Sequence, residues 1–265
     1  MTTPASSTTG LVLRDDHRSV ATLTLNRPAQ YNALSMALLM ELQTILDVIS
    51  RDTTVRAIVI TGAGKAFCAG HDLKEMRAHP EHAFIQDVFR RCSDLMLTLT
   101  RMPQPVIARV HGIAAAAGCQ LVAQCDLAVA TTEARFAVSG INVGLFCATP
   151  SVALARNVPR KLAMEMLLTG EFIDAARALD QGLINRVVAA DALDKTVAHL
   201  TDAIISKTPG AVAAGKKVFY EQLDAGLAEA YALATDTMVC NMMTADAAEG
   251  IDAFIQKRPP QWPGK

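Results

Sequence analysis

The chain has 265 residues, 51% of them hydrophobic and 19% charged, enough apolar mass for one sizeable core or a main domain with a small appendage. Its 25 basic and 26 acidic residues are mixed along the sequence and nearly cancel, so no basic stripe marks it for nucleic acid. The longest apolar-rich stretch, residues 111–126, is broken by Gln120, Gln124 and Asp126 well short of the ~20 residues that cross a bilayer, which argues against a membrane partner.

The opening "MTTPASSTTG" has no apolar segment for secretion and no arginine before Arg14, so residues 1–10 read as a disordered lead on a cytoplasmic protein. Residues 19–25, "SVATLTL", alternate and are β-branched, which predicts a strand. The turn-rich "NRPAQYNALS" follows. Ser35 is placed as an N-cap, because Leu38, Leu39, Leu42, Ile45, Leu46 and Ile49 then fall on one helical face. Residues 55–62, "VRAIVITG", form the near-continuous apolar run of a buried parallel strand, completing a crossover unit.

The pattern repeats after the loop "AGKAFCAGHDLKEM": helix over 81–101, strand over 105–110, helix over 114–124 and strand over 127–130. Beyond a loop at 137–150, short helices are expected at 151–157, 160–168 and 174–181, with Gly182 as a helix stop. From about residue 191 the chain is alanine-rich and helical, with a break at Pro209–Gly210. No Ser/Gly-rich linker separates two domains. The division expected is an α/β core over 11–195 and a helical extension over 196–265 that serves as an oligomerisation region.

Cys68, Cys92, Cys119, Cys125, Cys147 and Cys240 show no CxxC spacing and read as reduced thiols, several of them core filler. The two histidines of "HPEH" at 79–82 lack further ligands nearby, so a solvated loop is expected and no metal. Neither GxGxxG nor GxxxxGK[ST] occurs, which removes the dinucleotide and P-loop readings.

Two turns, "TGAGKAFCAGHDLKEM" and "HGIAAAAGCQ", bring very small residues to the end of a strand. Small residues let the main chain approach a ligand closely. A helix beginning near Ala115–Ala117 would aim unpaired N–H groups and its positive end at that ligand. Two N–H groups from separate loops can polarise one carbonyl oxygen; tight helix–sheet packing explains the same residues equally well.

Taken in order, "NRPAQYNALS", "VRAIVITGAGKAFCAGHDLKEM", "PVIARVHGIAAAAGCQLVAQCDLAVA", "ARFAVSGINVGL" and "ALDQGLINRVV" resemble successive segments of the crotonase superfamily, the enoyl-CoA hydratase/isomerase family. The resemblance spans roughly residues 11–255. It implies a crotonase-like spiral of ββα units with a C-terminal helical region, assembled as a homotrimer or a dimer of trimers. It also implies a lyase-type enzyme of fatty acid metabolism with a CoA thioester as substrate or ligand and no tightly bound cofactor. The thioester carbonyl is expected between the main-chain N–H groups of His71 and Ala117, with His71, Asp72, Leu73 and Lys74 contacting the CoA. Lys74, Lys257 and Arg258 are candidates for its phosphates.

The resemblance fails at the proton-transfer positions. Hydratases of the family use two glutamates, and the matching positions are Gln120 and Gly140. Neither residue exchanges a proton near neutral pH. No Asp or Glu lies between Glu133 and Glu165, and the loop that reads PGAGG in hydratases is "CATPSVA" here. His71 remains as a proton-transfer candidate because histidine titrates in the right range. Cys147 is expected to line the pocket, or to act as a nucleophile if its pKa is lowered. Ser139 has no partner base in the sequence, and Asp72 is expected to shape its loop. The function expected is acyl-CoA binding with enolate stabilisation but without ordinary hydration. The alternatives are a non-catalytic acyl-CoA binder, or a decarboxylase or hydrolase acting on acyl-CoA.

Overall fold

The computed structural model describes residues 10–263. The expected lead therefore lies, apart from Gly10, outside the described residues. Strands β1 (Val12–His17) and β2 (Val20–Leu25) form an antiparallel hairpin through Arg18 and Ser19, both at positive φ, as a tight two-residue turn requires. Helix α1 (Met36–Ile49) begins where the sequence places it, the Ser35 hydroxyl accepting from the Leu38 N–H at 3.3 Å. Strand β3 (Ala57–Gly62) is buried along its whole length and pairs in parallel with β2.

Next come β4 (Ala66–Cys68), α2 (Leu73–Ala78), α3 (His82–Arg101), β5 (Val106–Val110), β6 (Ile113–Ala115) and α4 (Ala117–Gln124). They lead to β7 (Leu127–Thr131), β8 (Arg135–Ala137), a 3-10 turn at Ser139–Val143, α5 (Ala148–Asn157) and α6 (Arg160–Thr169). Strand β9 (Ile173–Asp174), α7 (Ala175–Asp180) and β10 (Arg186–Val188) close the core, and Gly182 (φ 82°) turns the chain between the last two. Helices α8 (Leu193–Ile205), α9 (Pro209–Leu223), α10 (Leu227–Met242) and α11 (Ala245–Ile255) complete the chain.

The strands divide between two sheets. The larger has the order β1-β2-β3-β5-β7-β10 and the smaller β4-β6-β8-β9. Thus β3/β4, β5/β6 and β7/β8 each send one strand to each sheet, a spiral of ββ turns whose connecting helices pack outside. The main core includes Leu23, Ile58, Ile60, Phe67, Phe136 and the inner faces of α1, α3 and α4. Val59, Ile107 and Val129 face the other way and meet Leu193 and Val197 of α8. Burial on both faces explains why β3 reads as an unbroken apolar run.

Three sequence expectations need correction. Residues 113–115 are not helical: they form β6, paired in parallel with β4 and β8, and α4 begins only at Ala117. The break expected at Pro209–Gly210 lies at residues 206–208, and Pro209 starts α9, since the first turn leaves its missing N–H without consequence. The division at 195/196 falls inside α8, which belongs to the sheet packing.

Helix α9 is fastened to the core by a buried ion pair. The Lys216 ammonium, 6% exposed, donates to Asp126 Oδ2 (2.7 Å), the Leu99 carbonyl (2.7 Å) and the Gln104 carbonyl (2.8 Å). Asp126 also accepts from the Val106 N–H and the Tyr220 hydroxyl. Beyond this anchor the helices expose large apolar side chains, among them Leu227, Tyr231, Met243 and Phe254.

Candidate active site

Two loops meet at the ends of β4 and β6. On the first, Gly70 has φ 97°, and a Cβ there would lie 2.8 Å from the Ala116 methyl and 3.3 Å from the Ala117 nitrogen. Only glycine suits both the conformation and the contact. The loop is held by Leu34, whose N–H donates to the Gly70 carbonyl at 2.7 Å and whose carbonyl accepts from the Asp72 N–H at 3.1 Å.

On the second loop, Ala116 adopts φ 48°, ψ −118°, a conformation strained for a residue with a Cβ. Its N–H donates to the Ala137 carbonyl at 2.9 Å, fixing the turn that aims α4. At Gly118 a Cβ would stand 2.1 Å from the Cys68 carbonyl, so α4 rests directly on β4. The small residues therefore do both things the sequence allowed. They permit tight packing, and they bring the His71 and Ala117 N–H groups to neighbouring loops, where neither donates to any described residue.

Both residues line one cavity of about 390 Å³, together with Gly140 and Cys147. Leu73, Met76, Phe89, Val143, Leu145 and Phe146 are the large apolar residues of the remaining wall, and no Asp, Glu, Lys or Arg lines it.

The structure separates the remaining candidates. His71 does not titrate in the expected range. Burial pulls its imidazole down to about 4. Its ring packs edge-on against Phe89 at 5.2 Å, and neither ring nitrogen has a hydrogen-bond partner among the described residues. Cys147 lines the cavity as expected. Burial pushes its thiol up, against the pull of the Gly140 N–H that donates to Sγ at 3.2 Å, which is the opposite of activation.

Gln120 is 4% exposed, its Oε1 has no partner among the described residues, and it is not part of the cavity wall. Gly140 is closed against a side chain: a Cβ would meet the Leu145 carbonyl at 2.5 Å and Cys147 Sγ at 2.7 Å. Ser139 lines the cavity beside it, with no base among the wall residues except the neutral His71.

Asp72 caps α2 through the Lys74 and Glu75 N–H groups and pairs with Arg27 at 2.8 Å. Burial alone would raise its carboxyl, but Arg27 and those N–H groups hold it below the usual range. It thus ties the start of α2 to Arg27. Leu73 is half-exposed at the cavity and Lys74 is exposed. Arg258 is taken up by Glu249 in a two-pronged pair, and Lys257 is exposed. His79 and His82 are exposed, and His79 packs on Phe84. The burial of His71 under Phe89 and the blocking of Gly140 by Leu145 left no local trace in the sequence.

A ββα spiral with paired small-residue loops at strand ends is the architecture that the family resemblance implies. The enoyl-CoA hydratase/isomerase family model matches residues 15–265, and the chain belongs to that family. It is similar to the enoyl-CoA hydratase domain-containing protein 3, mitochondrial, of Rattus norvegicus, with 45% identity over 92% of this chain and 81% of the rat protein. It is 36% identical to the 2,3-dehydroadipyl-CoA hydratase of Escherichia coli (strain K12), over 93% of this chain and 96% of that one. A crystal structure of an enoyl-CoA hydratase from Mycobacterium smegmatis superposes with a TM-score of 0.94 at 58% identity, covering 96% of this chain and 99% of that one.

Proposed function

We propose that the protein binds acyl-CoA thioesters and polarises the thioester carbonyl through the His71 and Ala117 N–H groups, without the two-carboxylate chemistry of hydration. The observation that carries this reading is one apolar cavity with two unused main-chain donors and no carboxylate in its wall. Each such donor is worth about 3 kcal/mol to a developing oxyanion in a water-poor site. Each missing acid–base group typically forfeits about 10² to 10⁴ in rate. Enolate formation is thus favoured electrostatically while water has nothing to activate it. Loss of CO₂ from an acyl-CoA needs the oxyanion donors more than a base, so decarboxylation suits this wall better than hydration does.

The loop from His71 to Lys74 lies beside the donors and suits the CoA, with Lys74 an exposed cation next in sequence to the wall residue Leu73. The exposed apolar side chains of α9 to α11 support self-association, for which the family resemblance implies a homotrimer or a dimer of trimers. The compartment is one in which acyl-CoA is present. The rat relative is mitochondrial by name and the Escherichia coli relative carries no such word, so a cytoplasmic site is one of two open to test by fractionation.

The test pairs a hydration assay on crotonyl-CoA, following loss of the conjugated thioester absorbance, with calorimetric binding of the same ligand. Saturable binding with turnover near background is expected. Ala117→Pro removes one donor at the first position of α4, where proline is compatible with a helix. Unchanged affinity in a variant whose circular dichroism matches the parent would refute the oxyanion reading.

A further inference from the structure

The two main-chain donors are held in different ways. Ala117 opens α4, and Gly118 beside it rests directly on β4, so regular structure and packing fix that N–H. His71 lies between β4 and α2, with a single bridge to Leu34 as its backbone support. In a parallel bridge the partner bonds the groups on either side, here the Gly70 carbonyl at 2.7 Å and the Asp72 N–H at 3.1 Å. The N–H of His71 itself then points away from Leu34, which leaves it unused by the loop.

Resting on the oxyanion role proposed for that N–H, we infer that Arg27 is a positioning residue for the His71 donor. Its guanidinium spans the bridge, one nitrogen donating to the Ala33 carbonyl at 2.6 Å and another to Asp72 Oδ2 at 2.8 Å. Ala33 precedes Leu34 and Asp72 follows His71, so one planar fork grips both sides of the bridge. The two side chains are 17% and 13% exposed, where salt screens the pair little. The fork is itself moored. The Arg27 N–H donates to Asn32 Oδ1 at 2.9 Å, and the buried Asn32 Nδ2 donates to the Ala66 and Phe67 carbonyls of β4 at 2.8 and 3.2 Å. Arg27 thus fixes the loop that follows β4 relative to β4, the strand on which α4 and the second donor also rest. What this frame sets is the separation of the two donors. A displacement of about 1 Å in such a site can cost about a hundredfold. Lysine is no substitute, because an ammonium on a flexible stem does not hold two acceptors at a fixed separation.

Infrared spectroscopy of bound butyryl-CoA labelled with carbon-13 at the thioester carbonyl tests this, since a saturated chain cannot be hydrated. In the parent the carbonyl stretch is expected below its frequency in water, both donors polarising it. Arg27→Lys and Arg27→Met should return the stretch towards the free value and lower affinity by about two- to tenfold, the weight of one neutral hydrogen bond. Asp72→Asn keeps an oxygen to cap α2 but loses the charge; it should shift the stretch the same way, and it carries the test where the Arg27 variants do not fold. Lys216→Met loosens the protein far from this loop and should keep the parental frequency, which separates positioning from general loss of stability. A parental frequency in folded Arg27 or Asp72 variants, or an equal change in Lys216→Met, overturns the inference and leaves the function reading standing. No shift in the parent, or no binding, refutes the function reading and this inference with it.

Discussion

Placing a glutamate at position 140, where the family resemblance implies one, by Gly140→Glu is expected to damage the protein before it can add any activity. The first side-chain atom would sit 2.5 Å from the Leu145 carbonyl and 2.7 Å from Cys147 Sγ. Real Cβ contacts hardly ever fall below 3.0 Å, so the backbone at Leu145 must yield by about half an ångström. That carbonyl belongs to the residue whose own N–H donates to the Gly140 carbonyl at 2.9 Å, so the strain strikes the bond that closes the turn. Overpacking of this kind costs about 1–3 kcal/mol. For a chain of this size that is a fall in Tm of roughly 2–4 °C per kcal/mol. Cys147→Ala relieves only the sulfur contact, so the double variant should recover part of the loss and show a measurable coupling energy. Thermal unfolding gives the magnitude, and a crotonyl-CoA hydration assay reads the function. A Gly140→Glu protein with parental Tm and strong hydratase turnover would refute both the steric argument and the view that this loop has closed the position.

Two further variants probe the interior. His71 is held near 4 against an ordinary 6.5, so between those values the unfolded chain takes up a proton that the folded chain refuses. Stability should therefore fall as the pH drops from about 6.5 towards 4, by about 2–3 kcal/mol at the acid end, with no slope from this group above 6.5. His71→Leu keeps the N–H and should remove that slope in urea titrations; identical slopes in parent and variant would sink the assignment. Lys216→Met leaves Asp126 buried without its cation and is expected to cost about 3–5 kcal/mol, read as a shift in the urea midpoint at unchanged m-value.

Elements governed by local chemistry were legible in the sequence. The Ser35 cap and the leucine stripe of α1, the fully buried β3 and the long α3 all sit where periodicity and capping place them. Strand β6 was not legible. Alanine is the strongest helix former, and only parallel pairing with β4 and β8 makes residues 113–115 extended. The edge strand β1 was missed because "VLRDDH" carries charge on its open side and meets a partner on one edge only. At the site, the family resemblance singled out Gln120 and Gly140 as the positions where it implies carboxylates. The reason one of them cannot simply be refilled is a carbonyl five residues further on, which no motif encodes. The neutral state of His71 likewise depends on Phe89, a contact made by folding α3 across the loop.

The Lys216–Asp126 pair also has a mechanical consequence. It ties α9 at one point to the end of α3, to the 103–105 segment and to the entry of β7, so α9 moves with the core or not at all. The connection between α9 and α10, Asp224–Gly226, carries no such tether, and Gly226 has nothing within 4 Å of where a side chain would begin. The chain end nevertheless returns to the start of α9, where the Trp262 indole N–H donates to the Ser206 carbonyl at 3.0 Å, so α10 and α11 are held at both ends and shift only together with α9.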